Sequence, residues 1–347
     1  MVATSSEVLQ TASPPPESPA GGEALVSLRP YQNDAVGACE AAWESGLARL
    51  LIVLATGLGK TIVFSDVLRR ETRRALVIAH RDELLEQARE KILMVYPQAE
   101  IGMVRRKEND VDAQIVLASV QSVARENRLQ TLGKDFGLVG VDEAHHAVAP
   151  FHKKIITHVG CFETRPDRPK LLGVTATPKR TDGVGLNNVF EKIVYKKTIL
   201  DGIIEGYLVD LICKEIKVEI DLSEVANSGG DYDDGALGRA MTEAHAPEVM
   251  VAAFKEFALD RKAIAFLPTV PVAEELVAVF EREGIPAEVV KDSTSHKQRQ
   301  GIYQRLKEGQ TRVVANCGVL TEGFDEPSIS CIIQGRPTIS GSLYTHK

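Results

Sequence analysis

The sequence predicts an α/β protein built as two tandem units, each around a parallel sheet. Three observations lead there. Runs that are apolar throughout alternate with helix-period stretches from residue 50 onward, the alternation breaks over 190–240, and it then resumes. A strand covered by helices on both faces is apolar at every position, so such runs mark a parallel sheet. At 347 residues the chain is long enough for two cores. The expected division is a disordered tail over 1–24, a first domain over 25–200 and a second over 201–347.

"RLLIVLAT" (49–56) reads as the first buried strand, and "GLGKTIVFSDVLRRE" (57–71) as a turn entering a helix. "RALVIAH" (74–80) is the next strand, followed by the amphipathic helix "RDELLEQAREKILMVY" (81–96). "QIVLASV" (114–120), "FGLVGVDEAH" (136–145) and "KLLGVTAT" (170–177) continue the series. Residues 192–222 read as strand-rich, and "ANSGGDYDDGALG" (226–238) as a mobile polar loop. Then come "AIAFLPT" (263–269), a helix over 271–284, "AEVV" (287–290), a helix over 296–308, "TRVVANCGV" (311–319) and "SCIIQG" (330–335).

Composition narrows the class. With 44% hydrophobic and 26% charged residues the chain is an ordinary soluble globular protein. Its longest apolar run, "LLIVLA" (50–55), is far too short to span a bilayer, so no membrane role is expected. Five cysteines, an odd number without a CxxC pair, point to a reducing compartment and neither a disulfide framework nor a zinc site. A net charge of −7 excludes nucleic-acid binding by bulk positive charge but allows a local basic groove. The first 24 residues lack both a signal-peptide core and transit-peptide arginines. The expected location is intracellular, in the cytoplasm or with the nucleic acid of a nucleoid or nucleus.

Two motifs carry chemistry. "LATGLGKT" (54–61) lies between a strand and a helix, where a phosphate-binding loop must lie. Thr56, Gly57, Leu58 and Gly59 form the loop, and the glycines let backbone N–H groups turn toward phosphates. Lys60 would reach the β- and γ-phosphates, and the Thr61 hydroxyl would hold Mg²⁺. The strict pattern is broken at its first glycine position, which is Leu54. "LVGVDEAHH" (138–146) sets Asp142 and Glu143 just past a buried strand. Paired carboxylates at the carboxyl edge of a parallel sheet suit Mg²⁺ binding by one and water activation by the other. His145 and His146 are adjacent, so their rings diverge, and zinc ligation is not expected.

Further segments share this order: "LRPYQNDAV" (28–36), "AHRDELLEQ" (79–87), "LASVQSV" (117–123), "GVTATP" (173–178), "AIAFLPTV" (263–270) and "VLTEGFDEPSI" (319–329). The whole series resembles the superfamily 2 DEAD/DEAH-box helicases and translocases, nearest the motors of type I and type III restriction enzymes (the Res branch) and related repair helicases. The resemblance implies two tandem RecA-like P-loop NTPase domains with ATP and Mg²⁺ between them. It implies catalytic roles for Lys60, Asp142, Glu143 and His145, with metal binding by Thr61 and Asp142. Arg29 and Gln32 would hold the adenine, since a glutamine amide pairs with N6 and N7 at once. Gly323 and Asp325 would face the nucleotide from the second domain. His80, Arg81, Ser119, Gln121 and Thr321 would meet a sugar–phosphate backbone without reading bases. Thr175 and Thr177 would couple nucleotide state to the strand.

The basic runs "RRETRR" (69–74) and "VRRKEND" (104–110) read as solvated helix ends and loops rather than nucleic-acid patches. In the family an arginine motif, Q-x-x-G-R-x-x-R, follows this point. "QGR" (334–336) has the wrong spacing for it, because from Gln334 the Gly and Arg positions fall on Pro337 and Thr338. An alignment through Leu343 and Tyr344 puts the motif's Gln at His346, so the second domain is expected to be incomplete at its C-terminus. Arg336 then belongs to the preceding "RPT". The expected function is an ATP hydrolase that drives a helicase or translocase along nucleic acid, with DNA favoured and RNA left open. The alternatives are an impaired nucleotide- and DNA-binding fragment, or the motor subunit of a restriction system with a separate nuclease or repair partner.

Overall fold

The computed structural model describes residues 26–80, 82–177, 185–223, 225, 227–228, 231–320 and 326–337. Arg81, Thr321, Gly323 and Asp325, the tail over 1–24 and the segment after residue 337 lie outside the described residues.

The first sheet is built from β1 (Arg49–Leu54), β2 (Arg74–Ala79), β3 (Ile101–Arg105), β4 (Glu108–Asn109), β5 (Ile115–Ser119), β6 (Phe136–Asp142), β7 (Lys170–Thr175) and β8 (Lys192–Lys197). Its order is β4-β3-β5-β2-β6-β7-β1-β8, parallel except for β4. Alternate residues of each strand feed two separate cores. Leu50, Ile52 and Leu54 face one with Val77 and Leu117, while Leu51 and Val53 face the other with Ile78 and Val116. The first core is closed by α1 (Pro30–Glu44), α2 (Lys60–Arg70) and α3 (Asp82–Val95). Against the second lie α4 (Val120–Val123), α5 (Glu126–Thr131) and α6 (Pro150–His158). Gly140 of β6 makes the slot for the fully buried Phe64 ring of α2: a Cβ there would fall 1.9 Å from the ring. A strand glycine is otherwise unfavourable, and here it marks that close approach.

Beyond β8 the structure departs from the strand-rich expectation. Residues 199–204 form a short helix, α7 (Ile199–Ile204). The signal is a capping box: Thr198 N–H donates to Asp201 Oδ2 at 2.7 Å, and Asp201 N–H returns to Thr198 Oγ1 at 3.2 Å. Residues 209–222 carry the alternating pattern of a strand but pair with none among the described residues. Tyr207 and Leu208 still pack on the first core, whereas Val218, Ile220 and Leu222 pack on the second domain's core. The division expected at 200/201 thus falls inside α7, and the packing changes sides between 208 and 218.

The described residues of the "ANSGGDYDDGALG" stretch carry more secondary structure than its composition implies. It contributes the small strands β9 (Asn227–Ser228) and β10 (Asp231–Tyr232) and opens α8 (Asp234–Glu243), which Asp233 caps by accepting from Ala236 N–H at 2.8 Å. Asp231 and Asp234 both hold the Arg336 guanidinium, at 2.7 and 2.9 Å. After α9 (Ala246–Phe257) the second sheet follows: β11 (Lys262–Phe266), α10 (Val270–Arg282), β12 (Ala287–Val290), α11 (His296–Glu308), β13 (Val313–Asn316) and β14 (Ile329–Gln334). The order β12-β13-β11-β14 is parallel throughout. All five cysteines are free, and burial pushes the Cys39 and Cys161 thiols up to about 12, so both serve as packing residues.

Candidate functional site

β1 delivers the chain to the carboxyl edge of the first sheet, where it must turn sharply into α2. Gly57 and Gly59 make that turn with φ of +84° and +73°, values open to glycine and strained for other residues. Thr56 and Gly57 stay exposed, and Lys60 and Thr61 begin the helix at the loop's mouth. This has the make-up of an anion cradle: a helix start, whose first N–H groups have no partner within the helix, with the Lys60 cation beside it. Leu58 differs from the other loop residues. Its side chain is fully buried, and its N–H is spent on Ala55 O at 3.2 Å, so it anchors the loop from beneath.

Gln32, on the first turn of α1, is buried under the loop. Its Nε2 donates to Leu58 O at 3.2 Å and its Oε1 accepts from Arg29 N–H at 2.9 Å. Tyr31 Oη also donates to Leu58 O, at 2.8 Å. A Cβ on Gly59 would sit 2.6 Å from Gln32 Nε2, so loop and helix start are in direct contact. Arg29 itself is exposed and lies over the Tyr207 ring at 5.5 Å.

The acidic pair comes from the end of β6. Glu143 takes a left-handed backbone, φ 47° and ψ 57°, which costs a non-glycine residue about 1 kcal/mol or more and turns its carboxylate back toward α2. Glu143 Oε1 lies 4.0 Å from Lys60 Nζ, and Oε2 lies 3.4 Å from His145 Nδ1. His145 Nδ1 is 3.3 Å from Thr175 Oγ1, which in turn accepts from Thr177 N–H at 3.2 Å. The phosphate loop, β6 and β7 are thus linked by one run of polar contacts. Asp142 accepts from Glu143 N–H at 2.9 Å. Burial, and next the Glu143 charge, push its carboxyl up to about 6, partly offset by Lys60. A carboxylate destabilised in this way, close enough to Lys60 to feel its charge, has the chemistry of a hard-cation ligand.

His80, Ser119 and Gln121 gather elsewhere on the same sheet edge, lining a cleft of about 340 Å³ beyond the ends of β2 and β5. His146 links the two places: its ring centroid lies 4.5 Å from that of His80 and 4.1 Å from that of His145, so the adjacent rings do not diverge as expected, because residues 144–146 form a tight 3₁₀ turn rather than a strand or α-helix.

Sequence reasoning missed several participants. Tyr207 packs edge-on to Tyr31 at 4.6 Å. Leu208 reaches the phosphate loop, since a Cβ on Gly57 would fall 2.9 Å from its Cδ2. Neither residue has a sequence signal, because both come from a stretch that reads as strand. Arg106 and Arg125 join the His80 cleft, although Arg106 belongs to a run that reads as a solvated loop. The other basic run is structural: Arg69 and Arg70 hold the buried Asp66 at 2.6 and 2.7 Å, and Arg74 pairs with Asp135 at 2.6 Å.

The family described as "Type III restriction enzyme, res subunit" matches residues 25–180, and "Helicase conserved C-terminal domain" matches residues 247–347. The chain is 32% identical over 332 residues to the putative ATP-dependent helicase IRC3 of Saccharomyces cerevisiae, covering 91% of this chain and 48% of that protein. It is 32% identical over 316 residues to the putative mitochondrial ATP-dependent helicase irc3 of Schizosaccharomyces pombe, covering 88% of this chain and 52% of that protein. The chain therefore spans about half the length of these relatives. Among solved structures, the Hef helicase domain of Pyrococcus furiosus superposes with a TM-score of 0.57 at 16% identity, over 92% of this chain and 93% of that one. Dbp5 of Saccharomyces cerevisiae, bound to RNA and ADP BeF3, does so with a TM-score of 0.60 at 16% identity, over 92% of this chain and 83% of that one. The fold is two tandem RecA-like domains. The chain belongs to superfamily 2 of the helicases and translocases, on the branch that includes the restriction-enzyme motors.

Proposed function

We propose that this chain is an ATP-dependent nucleic-acid motor that couples hydrolysis to movement along, or unwinding of, a strand, with DNA as the favoured track. The observation that carries it is the run from Lys60 through Glu143 and His145 to Thr175, which joins a phosphate cradle to a neighbouring strand of the same sheet. ATP is the substrate, its phosphates on Gly57, Gly59 and Lys60. Thr61 and Asp142 would hold Mg²⁺, whose charge offsets that of the phosphates.

Each residue then has a task. Lys60 now lies near Glu143; turned toward a phosphate, it would release the Glu143 carboxylate from that contact. Glu143, held by its left-handed backbone, orients water for attack. His145 feels that change through Glu143 and passes it to Thr175. Gln32 and Arg29 hold the adenine end, which requires Gln32 to exchange its present partners for the base. Gly323 and Asp325 would complete the site from the second domain. Among the described residues no helix is long and apolar enough to cross a membrane. The working location is an intracellular compartment that contains nucleic acid.

The test is ATP turnover by this chain with and without single-stranded DNA. Turnover should rise with DNA and fall at least 100-fold in Lys60→Ala and Glu143→Gln, with Glu143→Gln still binding nucleotide. Turnover retained in both variants would sink the assignment. A second reading, a motor serving a separate nuclease, is favoured by the description of the family that matches residues 25–180. It predicts that DNA cleavage appears only when a nuclease partner is added.

A further inference from the structure

The turn between β3 and β4 sets one arginine apart from its neighbours. Arg105 is tied down by Glu86 at 2.5 Å and Glu108 at 3.4 Å. Arg106, next to it, has a left-handed backbone with φ 41°, a conformation that a non-glycine residue keeps only when its surroundings impose it. Those surroundings are visible. Arg106 N–H donates to Ser122 Oγ at 3.1 Å, and the Arg128 guanidinium holds Arg106 O and, at 3.3 Å, Glu108 O. Two anchors, Ser122 of α4 and Arg128 of α5, thus fix the turn that carries a side chain 81% exposed. It points into the cleft that holds His80, Ser119 and Gln121, where Arg125 also contributes.

Charge accounting favours an anion there. Among the described residues the cleft has two guanidinium groups against one carboxylate, Asp82, the first residue of α3. Arg106 Nε is 2.7 Å from Asp82 Oδ2. A pair this exposed is worth at most about 1 kcal/mol, so a phosphodiester can displace the carboxylate. A planar guanidinium also suits phosphate geometry.

We propose that Arg106 and Arg125 form a phosphate clamp for the nucleic-acid strand, with Asp82 as the internal anion that occupies Arg106 when no strand is bound. This inference rests on the motor reading and adds to it a grip outside the motif segments. The clamp is sequence-independent, because it meets the backbone and no base edge. Asp82 sets its threshold: the strand must outcompete a carboxylate already in place.

The experiment measures the dissociation constant of the full chain for a fluorescein-labelled single-stranded DNA oligonucleotide over a salt series. Arg106→Asn suits the test because asparagine tolerates the left-handed backbone, and Arg106→Lys retains the charge. Arg106→Asn and Arg125→Gln should each weaken binding about three- to tenfold and lower the steepness of log K against log salt by about 0.7–1, whereas Arg106→Lys keeps the slope. Asp82→Asn should tighten binding by a similar factor. ATP affinity should be unchanged in all four. Wild-type slope in Arg106→Asn, or no tightening in Asp82→Asn, overturns the clamp. A wild-type chain that binds no oligonucleotide overturns the motor reading itself, and ATP affinity then reports separately on the nucleotide site.

Discussion

At the scale of single residues, the site stores energy in two adjacent carboxylates. Asp142 is pushed up to about 6 by burial and by the Glu143 charge. A raised folded-state value means that the folded protein binds this proton more tightly than the unfolded chain. The stability deficit is absent below the unfolded value, grows as pH rises through the interval, and is complete above about 6. Its size is on the order of 3 kcal/mol at neutral pH. Asp142→Asn should therefore melt several degrees higher than wild type at pH 8, with about half that gap at pH 5, while losing turnover. Thermal melts of the ligand-free proteins at the two pH values check this, and an Asn variant that is no more stable at pH 8 rejects it. At this scale the sequence singles out Lys60, Asp142, Glu143 and His145 by residue type, and the structure brings these four side by side, their roles being those proposed above. It was not legible for Arg106, because a basic turn residue looks the same in sequence whether it is solvated or aimed into a cleft.

At the scale of elements, most strands and helices could be read from their period, and residues 287–290 and 296–308 match as written. The failures are instructive. α7 is only 6 residues long, too short for helical period to emerge, and its Thr198–Asp201 cap was the available sign. Residues 209–222 have a strand's alternation without a strand partner among the described residues, because pairing depends on a neighbour that local pattern does not name. The polar stretch over 226–238 looked mobile by composition, yet two of its aspartates are fixed by Arg336, a contact about 100 residues away in sequence. Gly140 offers the sharpest test of packing. Gly140→Ala drives a methyl into the buried Phe64 ring and should destabilise by about 1–3 kcal/mol in urea unfolding. Adding Phe64→Leu should recover part of that loss. A Gly140→Ala protein as stable as wild type would show that the Phe64 ring can move aside.

For the whole molecule, two sheets are joined by a stretch, 209–217, whose residues are all exposed and belong to no helix or strand. Lys214 and Lys217 lie within it. Brief trypsin treatment should cut early after these lysines and separate a fragment with the phosphate loop from one with the second sheet. Mass spectrometry of the early products checks this, and protection of both bonds while cuts accumulate within the sheets would contradict it. The two-unit plan was legible from the broken rhythm of the sequence. The place where the chain changes allegiance was not, because Tyr207 and Leu208 reveal their side only through the residues they touch.

Leu208 gives Gly57 a second employer. The glycine is required by its positive φ and by its place in the phosphate loop, and a side chain there would also strike Leu208, close to where the chain departs for the other sheet. The same atom-sized gap thus faces the mouth of the loop on one side and Leu208 on the other. Under the proposed motor reading, a nucleotide that displaced this loop would press on Leu208 and so on the start of the connecting chain, before any group from the second sheet took part.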